Sequence, residues 1–515
     1  MRKAGLLFST LLFLLFMSGC GSQNQSSTPP PTQNLSQASV GLSLTDSPPS
    51  GVTVLFFQLS ITGATLTNSS GGTVSLLSST NPIPVNVSDL LTDSAFLGNQ
   101  SVAAGTYTGL SLTFANPQLT IFNDSDTALS STCAVGKVCQ LTPTISPLTL
   151  SFTTAPFPVT LSASSPLAFL LDVHLDKVIQ SDLTVNLAAT NGVTISQVSP
   201  PQPGGPIPHV GKMTGTVQSL GTNQFTVQTI EGRSFAIAVN SSTTYSYPSS
   251  VCSTDNFACV QTGQVVKVDV TLQTDGSLLA TAVDYIQLPT QQTVVGNIIG
   301  LSTSGGNTVM DLIIQKQPSS TNASALPVGK HAKVTVPTTG VTYAVDSGTF
   351  VIPSGLTFAG STNLQVGQTV LVVVAGNVTN TSGSGGSNSG PVGPPDVTFT
   401  ASSITLEPSQ ITGTVASVPA TGSLDFTLAT MPGYFVPPSP SANPGGPPPW
   451  APLIITVDTT GSTTFTNFTT NTLAGLAVND VISLHCWVFA TPTGATNITV
   501  AADAIVDRPG PTPSF

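Results

Sequence analysis

Charge is the first thing this 515-residue chain lacks. Only 6% of its residues are Asp, Glu, Lys or Arg, against about 25% in an average soluble protein. Eleven basic residues face 22 acidic ones, for a formal net charge of −11. That balance excludes the basic surface by which proteins hold nucleic acid or anionic lipid headgroups, so neither is expected as a partner. Glutamate occurs only at Glu231 and Glu407, in different parts of the chain. A glycosidase-type carboxylate pair would therefore have to involve Asp. The four histidines are His174, His209, His331 and His485, and no two are spaced as a metal-binding pair. There is no His-Glu-x-x-His, no Gly-Lys-Ser/Thr phosphate loop and no Gly-x-Ser-x-Gly elbow. No enzymatic activity and no cofactor are expected. What is abundant is Thr, Val, Ser, Gly and Pro, the residues of short strands and turns. With 39% hydrophobic residues the chain can bury several cores, and its length predicts several domains.

The N-terminus carries the clearest signal. Met1-Arg2-Lys3 is a short positive start. Ala4 to Met17 is almost wholly apolar, and the run ends in Met17-Ser18-Gly19-Cys20. This is a secretory layout, too short to span a bilayer comfortably. A Cys behind two small residues at the end of such a core resembles the bacterial lipobox, although Met17 stands where Leu is usual. The resemblance implies cleavage before Cys20, diacylation of its thiol, and acylation of the new amine. Several acyl chains give stable anchoring. Gly21 after the Cys, rather than Asp, implies the outer membrane. The plainer reading is an ordinary signal peptide that happens to contain a Cys. Residues 21–38 form a polar, Pro-bearing tether that reaches about 60 Å when extended.

Among the other cysteines, Cys133 and Cys139 bracket one Gly-containing loop (CAVGKVC). Cys252 and Cys259 bracket another (CSTDNFAC). In an exported chain they read as two local disulfides stapling hairpin tips. Zinc ligation would need four converging ligands at spacings these do not show, and free thiols remain the other alternative. Cys486 lies in the apolar run VISLHCWVF and is expected to be a buried single Cys.

From Val40 onward apolar residues alternate with polar ones: 40–44, 59–62, 110–114, 119–121 and 159–161. Alternation with Gly, Asn, Pro and Ser clusters between predicts half-buried strands of a sandwich. Only Val87–Phe96 predicts a short helix, with Ser88 or Asp89 as cap. The ordered set VGLSLTDSPPSGV (40–52), LSITGATL (59–66), VNVSDLL (85–91), AGTYTGLSLTF (104–114) and LAFLLDVHLDKVI (167–179) resembles the bacterial family called domain of unknown function 4382. The resemblance covers about residues 39–198 and implies a compact β-sandwich on secreted or lipid-anchored proteins, with no established activity.

A Pro-rich linker (199–209) separates this domain from an internal repeat. Three copies open on Gly215-Thr216-Val217, Gly296-Asn297-Ile298 and Gly413-Thr414-Val415. Each has a later polar turn into an apolar strand: Gly263-Gln264, Gly367-Gln368 and Asn479-Asp480. Each closes on a similar strand at 280–286, 400–406 and 501–506. Such self-similarity predicts a module array, here spanning 210–288, 292–408 and 410–507, with a short tail (508–515). The first copy resembles the family called domain of unknown function 5666, which implies a small barrel like an oligonucleotide/oligosaccharide-binding fold. The second and third copies depart from it by long insertions. Residues 376–395 read as a flexible insert. Residues 432–452 are a Pro-rich insert whose Tyr434, Phe435 and Trp450 could bind a partner or a glycan, or pack on their own barrel.

The expected fold class is therefore all-β: an N-terminal β-sandwich followed by three small β-barrel-like modules in series, strung outward from the membrane. The best polar constellation is Asp172-Val173-His174-Leu175-Asp176. On a continuous strand it puts two carboxylates and an imidazole on one face, a weak metal-site candidate. The plainer reading is a solvated face opposite a core face of Leu171, Val173 and Leu175. Asn123-Asp124-Ser125-Asp126 offers oxygens suited to calcium but lacks the full loop. Asp46 suits the start of a turn, and His331 lies in an apparent turn (VGKHAKV). The expected role is a cell-envelope lipoprotein that displays β modules for binding, adhesion or spacing. Its partners would be the membrane, through its lipid, and a glycan or another envelope protein. The rival is a polysaccharide-acting enzyme with an Asp-based site.

Overall fold

The computed structural model describes residues 37–508, apart from 48–52, 78–80, 92–94, 124, 126, 132, 163–166, 199–209, 231, 250, 274–276, 288–290, 318–325, 349, 382–394, 420–422, 430–454 and 491–497. Cys20, Tyr434, Phe435 and Trp450, and the inserts' central residues, lie outside the described residues.

The first module is a two-sheet sandwich. Its strands are β1 (Gln37–Ser47), β2 (Thr53–Asn68), β3 (Thr73–Ser75), β4 (Ile83–Asn86), β5 (Ala95–Ala103), β6 (Gly105–Phe122), β7 (Val138–Leu141), β8 (Ile145–Ser146), β9 (Thr149–Phe152), β10 (Val159–Leu161), β11 (Leu167–His174), β12 (Val185–Asn186) and β13 (Val193–Val198). One turn of helix, α1 (Leu175–Val178), follows β11. One sheet has the order β13-β11-β1-β5, with β1 and β11 parallel. The other is seven-stranded and centred on the long β2–β6 pair. Alternation points Val40 and Leu42, with Phe169, Leu171 and Val173, across the gap at Leu59, Ile61, Leu110, Leu112 and Phe114.

The three repeats share one topology. The first has β14 (Val210–Gly221), β15 (Gln224–Thr229), β16 (Ser234–Ala238), β17 (Thr244–Ser246), β18 (Val265–Leu272) and β19 (Leu278–Gln287). The second has β20 (Thr293–Ser304), β21 (Asn307–Lys316), β22 (His331–Val336), β23 (Thr342–Val345), β24 (Thr369–Asn380) and β25 (Val397–Glu407). The third has β26 (Ser409–Ser417), β27 (Phe426–Leu428), β28 (Ile455–Asp458), β29 (Thr464–Thr466), β30 (Val481–Phe489) and β31 (Ile498–Asp507). In each, the third strand also pairs in parallel with the last, so the sheet returns on itself as a barrel-like ring. The fourth strand, between the third and fifth, adds in parallel to the outside of the last. The chain is thus all-β, a sandwich followed by three barrel-like modules.

One turn recurs in all three copies. Gly263, Gly367 and Asn479 hold the left-handed backbone (φ 88°, 93° and 73°), open to Gly and tolerated by Asn. Each donates its N–H to the opening strand, at Val217, Ile298 and Val415, and the next residue's carbonyl accepts one back. That next residue also caps its own turn: Gln264 accepts from the N–H of Gln261, Gln368 from Gln365 and Asp480 from Ala477. Asn-Asp in the third copy therefore does the same work as Gly-Gln. The opening glycine has a steric reason as well. A Cβ on Gly296 would lie 2.5 Å from the carbonyl oxygen of Ile313.

The modules are packed on one another rather than strung out. Leu55, Phe56 and Phe122 on the outer face of the sandwich cluster with Ile299 and Ile313 of the second barrel. Thr120 donates to the carbonyl of Gly329 at 2.8 Å, and Asn86 to Gln315 at 2.8 Å. Phe96 joins the first barrel's core cluster. This explains the unalternating run Leu55-Phe56-Phe57: one face fills the sandwich and the other fills an interface.

Several sequence expectations fail here for physical reasons. Val87–Phe96 is not a helix: a 3-10 turn spans Val87–Asp89 behind Asn86, and β5 starts at Ala95. Its carbonyls are taken by other modules. Asp89 accepts from Gln410, Leu91 from Arg508, and Phe96 and Leu97 from Arg233. The expected insert 376–395 begins later, because 376–380 belong to β24, where Thr379 and Asn380 pair with Thr398 and Val397. Asp46 still lies in β1, opposite Val173. His331 opens β22 and is buried.

Candidate functional site

The most developed polar cluster lies where the first barrel meets the second. β18 turns Val266, Val268 and Val270 into its own core, so alternation sends Lys267 to the opposite face. That face is covered by the second barrel. Asp346 follows β23, with its N–H bonded to the carbonyl of Leu406, and Glu407 ends β25. Lys267 Nζ donates to Asp346 Oδ2 and, at 2.7 Å, to Glu407 Oε2. The three side chains are 9%, 13% and 10% exposed. Asp284, paired opposite Lys267 on β19, is a further nearby carboxylate. Burial works against the charge on Lys267. Asp346, Glu407 and Asp284 outweigh it and hold the ammonium well above its ordinary range.

The third barrel reaches the same point. Trp487 on β30 donates its indole N–H to the backbone carbonyl of Asp346 at 2.9 Å. Its ring stacks on Phe350, with centroids 5.1 Å apart and planes 9° from parallel. Trp487, Phe489 and Ala501 of the third barrel are part of the second barrel's core cluster. Gln368 adds a hydrogen bond to the carbonyl of Val488 at 2.9 Å. Asp346 thus joins three barrels, one through its carboxylate and one through its carbonyl. Sequence reading missed this node. Its one available signal was a Lys and a Glu, rare here, placed next to strand positions that should be buried.

The candidates taken from sequence fare differently. Asp172 and His174 do share a face near the end of β11, with His174 Nε2 3.6 Å from Asp172 Oδ2. Asp176 does not join them. The strand stops at His174, α1 begins at Leu175, and Asp176 pairs with its neighbour Lys177. Leu171, Val173 and Leu175 are buried. Asn123 spends its side chain on local bonds, accepting from Ser125 and donating to the carbonyls of Thr127 and Cys133. Asp124 and Asp126 lie outside the described residues. Among the described residues, no group of three or more His, Cys, Asp or Glu is placed to hold a metal ion. Cys133–Cys139 and Cys252–Cys259 are at disulfide distance, with Cα separations of 5.4 and 5.6 Å. Cys486 is buried and single, and burial, helped by Asp503, pushes its thiol well up.

One acidic pair was not foreseen. Asp425 and Asp458 stand just outside the paired residues Phe426 and Val457 of β27 and β28. Burial first, and Asp425 second, push the Asp458 carboxyl up to about 6.

The chain has no match among curated proteins. Residues 37–192, the sandwich, match the family described as Domain of unknown function (DUF4382), and residues 214–284, within the first barrel, match the family described as Domain of unknown function (DUF5666).

Proposed function

We propose that the chain is a lipid-anchored protein of the bacterial cell envelope whose four β modules act as one non-catalytic body for binding and adhesion. The observation that carries this reading is the bracing of every module against another through buried polar and aromatic links, with Asp346 at the centre. Such bracing holds surfaces in fixed relation, as a binding body requires. The anchor rests on the sequence around Cys20. The binding face is that of the second and third strands of the third barrel, β27 and β28, because five-stranded barrels of this order take oligosaccharides there and the matching face of the second barrel is covered by the sandwich. The charge of −11 disfavours polyanions. Tyr434, Phe435 and Trp450, in the segment that joins β27 to β28 in sequence, are candidate ligand contacts.

Two measurements test the reading. The Cys20→Ser protein should lose lipid labelling and leave the membrane fraction; retention of both would sink the anchor. Residues 21–515 on a glycan array should bind a defined sugar class, and a blank array would remove the carbohydrate partner.

A second reading has one observation in its favour. Asp458, raised to about 6, beside Asp425 makes an acid and carboxylate pair of the kind used in glycoside hydrolysis. If that is its role, the chain releases reducing ends from a polysaccharide and Asp458→Asn abolishes the release.

A further inference from the structure

A lysine sealed between two carboxyl groups can remain an ion pair or lose water to become an amide. Three observations favour the second outcome at Lys267. Its amine touches the carboxyl of Asp346, and Glu407 Oε2 stands 2.7 Å from the same nitrogen. All three side chains are nearly withdrawn from water. Each group is also held by backbone that cannot easily move. Lys267 sits in β18 between two paired strands, and Glu407 ends β25 in register with Thr369. Asp346 is pinned at its N–H by Leu406 and at its carbonyl by Trp487.

We propose that Lys267 and Asp346 condense to an isopeptide bond that joins the first and second barrels, with Glu407 as the proton carrier. The bond formed is Nζ–Cγ, and the bond broken is Cγ–Oδ2. Glu407 takes a proton from the ammonium, which frees the lone pair that attacks Cγ. It then returns that proton to the departing oxygen. A second ammonium proton follows, the oxygen leaves as water, and the third proton stays on the amide nitrogen. Ammonium and carboxylate become amide and water, Glu407 ends as it began, and no oxidant or cofactor is required. Fixed proximity and exclusion of bulk water are the conditions that drive such a condensation. The bond closes a loop between residues 79 apart in sequence, and it constrains the unfolded chain as a disulfide would. The proposal does not depend on the ligand or on the membrane anchor.

Peptide mass spectrometry of the full chain tests it. A chymotryptic digest should contain a branched peptide joining the Lys267 and Asp346 segments, lighter by one water than the two linear peptides together. Recovery of both linear peptides in full yield, with no branched species, overturns the proposal. In the Glu407→Gln protein the branched peptide should disappear and the linear ones return, with the far-UV circular dichroism unchanged. Full branching in that variant overturns the role given to Glu407. The wild-type digest decides the bond itself even if the variant does not fold.

Discussion

Trp487 donates its indole N–H across a module boundary to the backbone carbonyl of Asp346, 2.9 Å away. The same ring stacks on Phe350. Trp487→Phe keeps an aromatic ring and leaves the carbonyl without this donor, at a cost of about 1 kcal/mol. Trp487→Ala also opens a cavity and should cost about 3–5 kcal/mol. Urea melts of the full chain should rank the two variants in that order; a Trp487→Phe midpoint equal to that of the unaltered protein would mean that the hydrogen bond contributes nothing.

The repeated turn gives a second expectation. Asn479→Gly should change stability little, because both residues accept φ near 73°. Gly367→Val places a β-branched side chain at φ 93° and should destabilise by about 1–2 kcal/mol. Thermal unfolding checks both. A neutral Gly367→Val would show that the left-handed conformation is not required.

Asp458 makes stability depend on pH. Its folded pKa, about 6, lies above the ordinary 3.8, so the folded state binds the proton more tightly than the unfolded one. The contribution is present at low pH and is lost as pH rises through the window from about 4 to 6. Asp458→Asn should flatten the pH dependence in that window and leave the protein more stable at pH 7. Melting temperatures across a pH series would show this, and an unchanged slope would refute it.

Cys486 should resist alkylation in the folded protein, since its thiol is buried and pushed well up. Iodoacetamide added after denaturation without reductant should label it, while the four cysteines at disulfide distance stay unlabelled. Rapid labelling of the native protein at Cys486 would contradict the burial.

Much of the fold was legible because alternation and turn chemistry are local. Val40–Leu44, Leu59–Thr62 and Leu110–Phe114 fall in strands, and the three closing segments are the last strands of their barrels. The Asn-Asp turn of the third copy could be matched to Gly-Gln because both suit one backbone state. The errors come from places where a distant module decides. Residues 87–96 have an apolar spacing that suits a helix, yet Gln410 and Arg508 take the carbonyls of Asp89 and Leu91 that a helix would need. Leu55 and Phe56 look like surplus hydrophobicity until the second barrel covers them. The node at Asp346 was invisible for the same reason. Lys267, Asp346 and Glu407 lie far apart in sequence, and nothing local to any of them indicates the others. Asp172 and His174 were placed rightly on one strand face, but the chain leaves the strand before Asp176.

Arg508 is the last described residue, and its guanidinium rests on the carbonyl of Leu91 in the sandwich. Arg233 of the first barrel lands a few residues further on, at Phe96 and Leu97. Both attachments converge on the stretch 91–97 of the sandwich. Arg508 also donates its backbone N–H to the carbonyl of Val481 at the start of β30. A pull on the C-terminal end would therefore be shared at once between the third barrel and the sandwich.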